Sequence, residues 1–173
     1  MQRRRTVLAP SSRSRSVASI DTTNSQLSSQ IEGDVRTQIA GDPRIPYPAE
    51  IAVEVVDRVA TLRGTVGSFA QRHAAVADAR RTADVEYVDD WLQVRLLDRD
   101  RREDAEIRGA ALQRLEWDSE IPGDAIRVSV KDGWVTLKGD VAFQFQSDEA
   151  FNRVASLHGV TGVTNEIRVD EPR

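Results

Sequence analysis

This 173-residue chain has no cysteine and only two histidines, His73 and His158. Disulfides and thiolate metal sites are excluded, and three or four convergent metal ligands cannot be assembled, so no metal centre and no cofactor is expected. Aromatic residues are only 5% of the chain. No stretch approaches the ~20 consecutive apolar residues of a membrane-spanning helix. Nucleophile and base pairs of the Ser–His or Cys–His kind have no visible parts, so the chain reads as a non-enzyme. Both histidines are expected at the surface, and the Gly64-Thr65-Val66-Gly67 stretch, at a strand end, reads as structural rather than as a phosphate clamp.

Charge is plentiful but uneven. Residues 1 to 26 carry Arg3, Arg4, Arg5, Arg13 and Arg15 against Asp21, whereas the remaining 19 basic and 27 acidic residues leave the body at −8. Rich in Ser, Arg and Thr without periodicity, the segment reads as a disordered basic arm. The acidic body argues against nucleic acid as a partner. Arg4-Arg5-Thr6-Val7-Leu8 is like the start of a twin-arginine export signal, and Val17-Ala18-Ser19 like a cleavage site. Arg13 and Arg15 interrupt the apolar region such a signal needs, so cytoplasmic residence is the expectation and periplasmic export the alternative.

The body repeats itself. With an offset of 75 and no gap, residues 51–94 match 126–169 at 13 of 44 positions, among them Asp57/Asp132, Leu62/Leu137, Gly64/Gly139 and Ala75/Ala150. Upstream, at an offset of 76, Ile31, Asp42, Ile45 and Pro46 fall on Ile107, Asp118, Ile121 and Pro122. Shared positions are mostly apolar residues and turn formers, so the duplicated unit is a scaffold. The expected organisation is an arm over 1–26, one module over 27–98 and a second over 99–170.

Each module reads α-β-β-α-β. Leu27, Ile31, Val35 and Ile39 recur every four residues behind a Ser29/Glu32 capping box and before Gly41; in the second copy Asp100 and Glu103 cap a helix with Ile107, Ala111 and Leu115 inward. Ile126, Val128 and Val130, then Asp132-Gly133, then Val135 and Leu137 make a hairpin. Asp57-Arg58 occupies that turn less favourably in the first copy. A second helix is expected over about 68–83, capped by Ser68 and Gln71, with Ala75, Val76 and Ala79 inward, and over about 147–157 with Ala150, Phe151 and Val154 inward. Last strands carry Val88, Leu92 and Val94, and Val163, Ile167 and Val169. This is an α+β fold, in each module a three-stranded sheet with two helices on one face and the other face open.

The run Ile126 to Val141, the helix with Ala150, and Gly159-Val160-Thr161-Gly162-Val163 through Val169 resemble the BON domain, named for OsmY and nodulation proteins. The first copy is a more divergent match, with Arg58 for the turn glycine and Asp84 for Gly159. The resemblance implies a non-catalytic binding role, often in tandem, in envelope or stress-response proteins. The implied partners are phospholipid surfaces or proteins, with self-association or small-ion (potassium) binding as alternatives. It supplies no residue-level signature. Strand alternation does supply candidates on the open faces: Trp91, Val56 and Val59 with Ala52 on the first module, and Trp134, Lys138 and Arg127 on the second. Trp117 is expected at the edge of the core.

Overall fold

The computed structural model describes residues 14–170, with side chains from Thr22 onward. Helix α1 (Ser14–Gly41) is followed by hairpin strands β1 (Ile51–Val56) and β2 (Val59–Val66), helix α2 (Phe69–Arg81) and strand β3 (Tyr87–Val94). The order then recurs as α3 (Asp104–Glu116), β4 (Ile126–Lys131), β5 (Trp134–Val141), α4 (Gln144–Ala155) and β6 (Gly162–Val169). Each sheet has the hairpin's second strand at its centre, antiparallel to the first strand and parallel to the last. A helical crossover is what lets the last strand return parallel.

Helices and sheets bury one stripe or face each. Ile31, Val35 and Ile39 of α1 and Ala74, Ala75 and Ala79 of α2 close on Ile51, Val53, Val55, Ala60, Leu62, Val88 and Leu92. The second core repeats this with Ile107, Ala111, Leu115, Ala150 and Val154 over Ile126, Val128, Val135 and Leu137. Alternation along β1, buried at every odd residue and exposed at every even one, is what a sheet with one covered face requires.

Helix boundaries differ from the sequence reading in three places. The first helix begins at Ser14, so 14–26, including Arg15, is helical rather than irregular; Arg3, Arg4, Arg5 and Arg13 lie outside the described residues. Ser29 is therefore no cap: its hydroxyl donates to the carbonyl of Ser25 at 3.0 Å inside the helix. Asn24 in this extension donates to Asp57 at 3.0 Å, so the helix reaches the hairpin turn. The cap of α3 is Glu103, with Glu106 accepting from its backbone N–H at 3.1 Å, not the Asp100/Glu103 pair. And α4 starts at Gln144, where the side chain of Gln146 accepts from the N–H groups of Ala142 and Phe143 and supplies the start signal in place of a Ser or Asp cap. Ser68 caps α2 as expected, accepting from the N–H of Gln71 at 3.2 Å.

A glycine at the same place in both modules is required by contact. A Cβ on Gly64 would lie 2.0 Å from the carbonyl oxygen of Glu50, and one on Gly139 2.2 Å from that of Ala125, because the turn before each hairpin folds back over the central strand. No side chain fits there.

The two modules touch. Phe69 of α2 meets Phe151 of α4 edge to face, centroids 6.2 Å apart, and His73 packs on the same ring at 5.2 Å. Phe151, expected in its own module's core, is thus half-buried in the seam. His73, expected at the surface, is half-buried beside it. The connecting segment is pinned as well: a Cβ on Gly159 would lie 2.7 Å from that of Arg102, and the Asp104 carboxylate accepts from the N–H groups of Asp132 and Gly133 at 2.9 and 2.8 Å.

Candidate functional site: the two open sheet faces

Strand pairing sets three rows across each uncovered face. On the first module they are Val56–Val59–Tyr87 at the hairpin-turn end, then Glu54–Thr61–Asp89, then Ala52–Arg63–Trp91. Trp91 points away from the helices as alternation demands and is 63% exposed, its indole N–H donating to Asp89 at 2.8 Å. Val56 and Val59 share the face but not a patch with it, because the polar middle row intervenes. The candidates placed on this face from sequence therefore fall into two separate strips. Tyr87, 63% exposed, completes the first strip and was missed, although its odd position relative to Val88 signals an outward side chain.

The second module's rows are Lys131–Trp134–Gly162, Ser129–Thr136–Thr164 and Arg127–Lys138–Glu166, with Asp140 and Arg168 beyond. Trp134 is 46% exposed and lies down on the sheet: Gly162 opposite leaves the room, since a Cβ there would sit 2.4 Å from the indole ring, and Thr164 accepts the indole N–H at 2.8 Å. Lys138 pairs with Glu166 at 2.8 Å. Arg127, Lys131 and Arg168 form no ion pair among the described residues. The structure thus brings Arg127, Lys138 and Trp134 onto one face and adds Lys131 and Arg168. Trp117, at the end of α3, is 77% exposed rather than at the core edge, because two residues past the buried Leu115 it falls on the opposite side of the helix from the Ile107–Ala111–Leu115 stripe.

Charge inside the first module is arranged differently. Asp78 of α2 is buried between Arg44 and Arg81, at 3.8 and 3.4 Å, and its Oδ2 has no partner. Burial and the neighbouring Asp42 hold the Asp78 carboxyl above the usual carboxylate range. Asp42 is held well below it, chiefly by its hydrogen bond from Arg44. His73 is held below the ordinary histidine value by burial and then by Arg44, Arg80 and Arg81. No group of three or more potential metal ligands occurs among the described residues, nor a helix long and apolar enough to cross a membrane.

The fold and these faces define a duplicated α+β module with one sheet surface left to solvent. The chain belongs to the BON domain family, which it matches over residues 28–95 and 103–171. It is 33% identical over 128 residues to the Osmotically-inducible protein Y of Escherichia coli (strain K12), a match covering 69% of this chain and 61% of that protein. The chain thus spans about three-fifths of that relative's length. Among solved structures it is similar to CdsD, a structural protein of the Type III secretion system of Chlamydia trachomatis, at 13% identity and a TM-score of 0.36, covering 84% of this chain and 64% of that one. A second CdsD structure, of its C-terminal domain, gives 13% and 0.35, covering 82% and 66%.

Proposed function

We propose that this protein works by binding rather than catalysis, docking on anionic phospholipid headgroups through the open sheet face of its second module. The carrying observation is charge segregation. Residues 99–170 hold 10 basic and 14 acidic side chains. Their open face nevertheless carries Arg127, Lys131, Lys138 and Arg168 against Asp140 and Glu166 alone. A basic face on an acidic module attracts an anionic surface and repels it elsewhere. Trp134, flat on the sheet among these cations, offers the ring surface that suits a headgroup boundary. By analogy with the osmotic induction that its Escherichia coli relative is named for, we place the protein in a stress response; Arg13 and Arg15, which interrupt the apolar region of an export signal, support the cytoplasm as its compartment, with periplasmic export as the alternative.

Flotation with vesicles of phosphatidylcholine alone and with added phosphatidylglycerol tests this. Binding is expected only to the anionic vesicles and to weaken with salt. Replacing Arg127, Lys131 and Arg168 together by Gln should weaken it by about 3 kcal/mol, at roughly 1 kcal/mol per cation near the surface. Equal binding to neutral vesicles, or an unaffected triple variant, would overturn the proposal. The first module's face supports a second reading, self-association: exposed Val56 and Tyr87, with half-buried Val59 between them, form an apolar strip that a lipid headgroup does not need. Sizing of Tyr87→Ser against the parent chain decides it.

A further inference from the structure

We propose that the seam between the two modules is a proton-operated hinge, closed while His73 is neutral and opened when His73 takes up a proton. Three rings meet in the seam. His73 and Phe69 lie one helical turn apart on α2, and both rest on Phe151 of α4. A ring that fills such a contact contributes as an apolar body; charged, it must keep water, which the seam denies it.

The charges around His73 reinforce this. Arg44, in the turn after α1, and Arg80 and Arg81, in the last turn of α2, all oppose a positive imidazole. The compensating carboxylates on this side are Asp42 and Asp78, both engaged by Arg44. On α4 the ring meets Phe151. The nearest carboxylates of that helix are committed elsewhere, Asp148 accepting from Gln144 at 2.9 Å and Glu149 pairing with Arg153 at 2.9 Å. No carboxylate of either helix forms an ion pair with His73 among the described residues. The second copy has Asp148 at the position equivalent to His73, so the histidine is particular to this side of the seam.

The sign follows from linkage. Closed, His73 is held below its ordinary value of 6.5, first by burial and then by the three arginines. Open, the ring is hydrated and the burial contribution is lost, so opening binds a proton. As pH falls below the open-state value, which the three arginines of the same module still keep under 6.5, the open fraction rises, by at most tenfold per pH unit for a single group, and levels off below the closed-state value. Spacing and orientation of the two open faces thereby become a function of pH.

The absence of cysteine makes the test direct. Spin labels on Gln38→Cys and Glu116→Cys, one exposed position in each module, report the inter-module distance distribution of the full chain at pH 7.5 and 5.5, with circular dichroism confirming that both modules stay folded. The parent chain is expected to give one narrow distance at pH 7.5 and a broadened, shifted distribution at pH 5.5. His73→Phe and His73→Leu, which keep an apolar body without the titration, should give the narrow distribution at both. An unchanged distribution in the parent chain, or a response that persists in both variants, would sink the proposal.

Discussion

The first module forms its hairpin and its return into the last strand without the glycines that the second module uses for both. Asp132-Gly133 and Gly159 take positive φ of 52°, 77° and 86°; Asp57, Arg58 and Asp84 take 47°, 64° and 65° at the equivalent places. Side chains in this region cost about 1 to 3 kcal/mol each, so the first module carries local strain at Arg58 and Asp84 that the second, with glycine at both places, avoids. What it obtains in return is an ion pair between the two substituted positions, Arg58 to Asp84 at 3.6 Å, with Glu86 at 3.4 Å. In the second module that space is taken by the linker, where Arg102 covers Gly159. The repeat thus keeps a backbone and exchanges the means of holding it.

A second exchange lies between helix and loop. Asp118 and Arg153 pair at 2.9 Å in the second module. Asp78 stands where Arg153 does, and Arg44 where Glu120 does, so the cation has moved from the helix to the loop. Two carboxylates then share Arg44, and although Asp78 also reaches Arg81 at 3.4 Å, its buried Oδ2 is left without a hydrogen-bond partner. The second module's version is the better satisfied, so the first should be the weaker half.

The comparison is broken most severely at the position both modules share. Gly64→Val and Gly139→Val each push a side chain into a carbonyl oxygen closer than 2.5 Å, and each should cost about 3 kcal/mol or more in chemical denaturation. Lys138→Val on the exposed face should change stability by less than about 0.5 kcal/mol. A mild effect at one glycine only would show that the two modules do not share this close approach.

The turn glycines sharpen it further. Gly133→Arg should destabilise by about 2 kcal/mol, since its φ is 77° and a Cβ would sit 2.9 Å from the carbonyl oxygen of Gly159. Arg58→Gly should stabilise by about 1 kcal/mol, because relief of positive φ exceeds the loss of an exposed ion pair. Destabilisation by Arg58→Gly would mean the ion pairs outweigh the strain.

Asp78→Asn addresses the second exchange, and its sign is set by titration. A carboxyl held above its ordinary value of 3.8 contributes stability that is full below that value and lost as pH rises through the folded-state value. At pH 7 the charged group is therefore a burden, and Asp78→Asn should raise stability by about 1 kcal/mol, the scale of one unsatisfied buried polar atom. The gain should shrink as pH falls toward 3.8. Thermal midpoints of parent and variant from pH 7 to 4 check this; a constant difference would assign the effect to packing.

Much of the fold was legible because it rests on periodicity. Ile31, Val35 and Ile39 on a helical stripe, and Val128, Val135 and Leu137 on alternating strands, can face only one core, and the Asp132-Gly133 turn sets their register. Missed features depend on contacts between distant residues. Nothing in the Ser- and Arg-rich stretch from Ser14 signals a helix, because polar residues carry no stripe and the anchor, Asn24 on Asp57, lies 33 residues away. Phe151 fits the apolar stripe of its own helix, so only the position of α2 reveals that it faces Phe69 and His73. On the open faces alternation predicted which side each residue takes but not which row, and the row separates Val56 and Val59 from Trp91.

The two face tryptophans give the smallest effects and the finest comparison. Trp134 rests on Gly162 and donates to Thr164 across strands, so its removal uncovers the sheet and strands a partner on another strand. Trp91 donates to Asp89 of its own strand and leaves 63% of its surface in water. Trp134→Ala should cost about 1 kcal/mol of stability, the scale of one aromatic contact with one hydrogen bond, and Trp91→Ala about 0.5 kcal/mol or less. In flotation the order should be the same, because Trp134 stands among Lys131 and its basic neighbours while Trp91 stands beside Asp89. If Trp91→Ala proves the costlier in denaturation, the first module's face is covered by something in solution. The assignment of the binding surface to the second module would then have to be reversed.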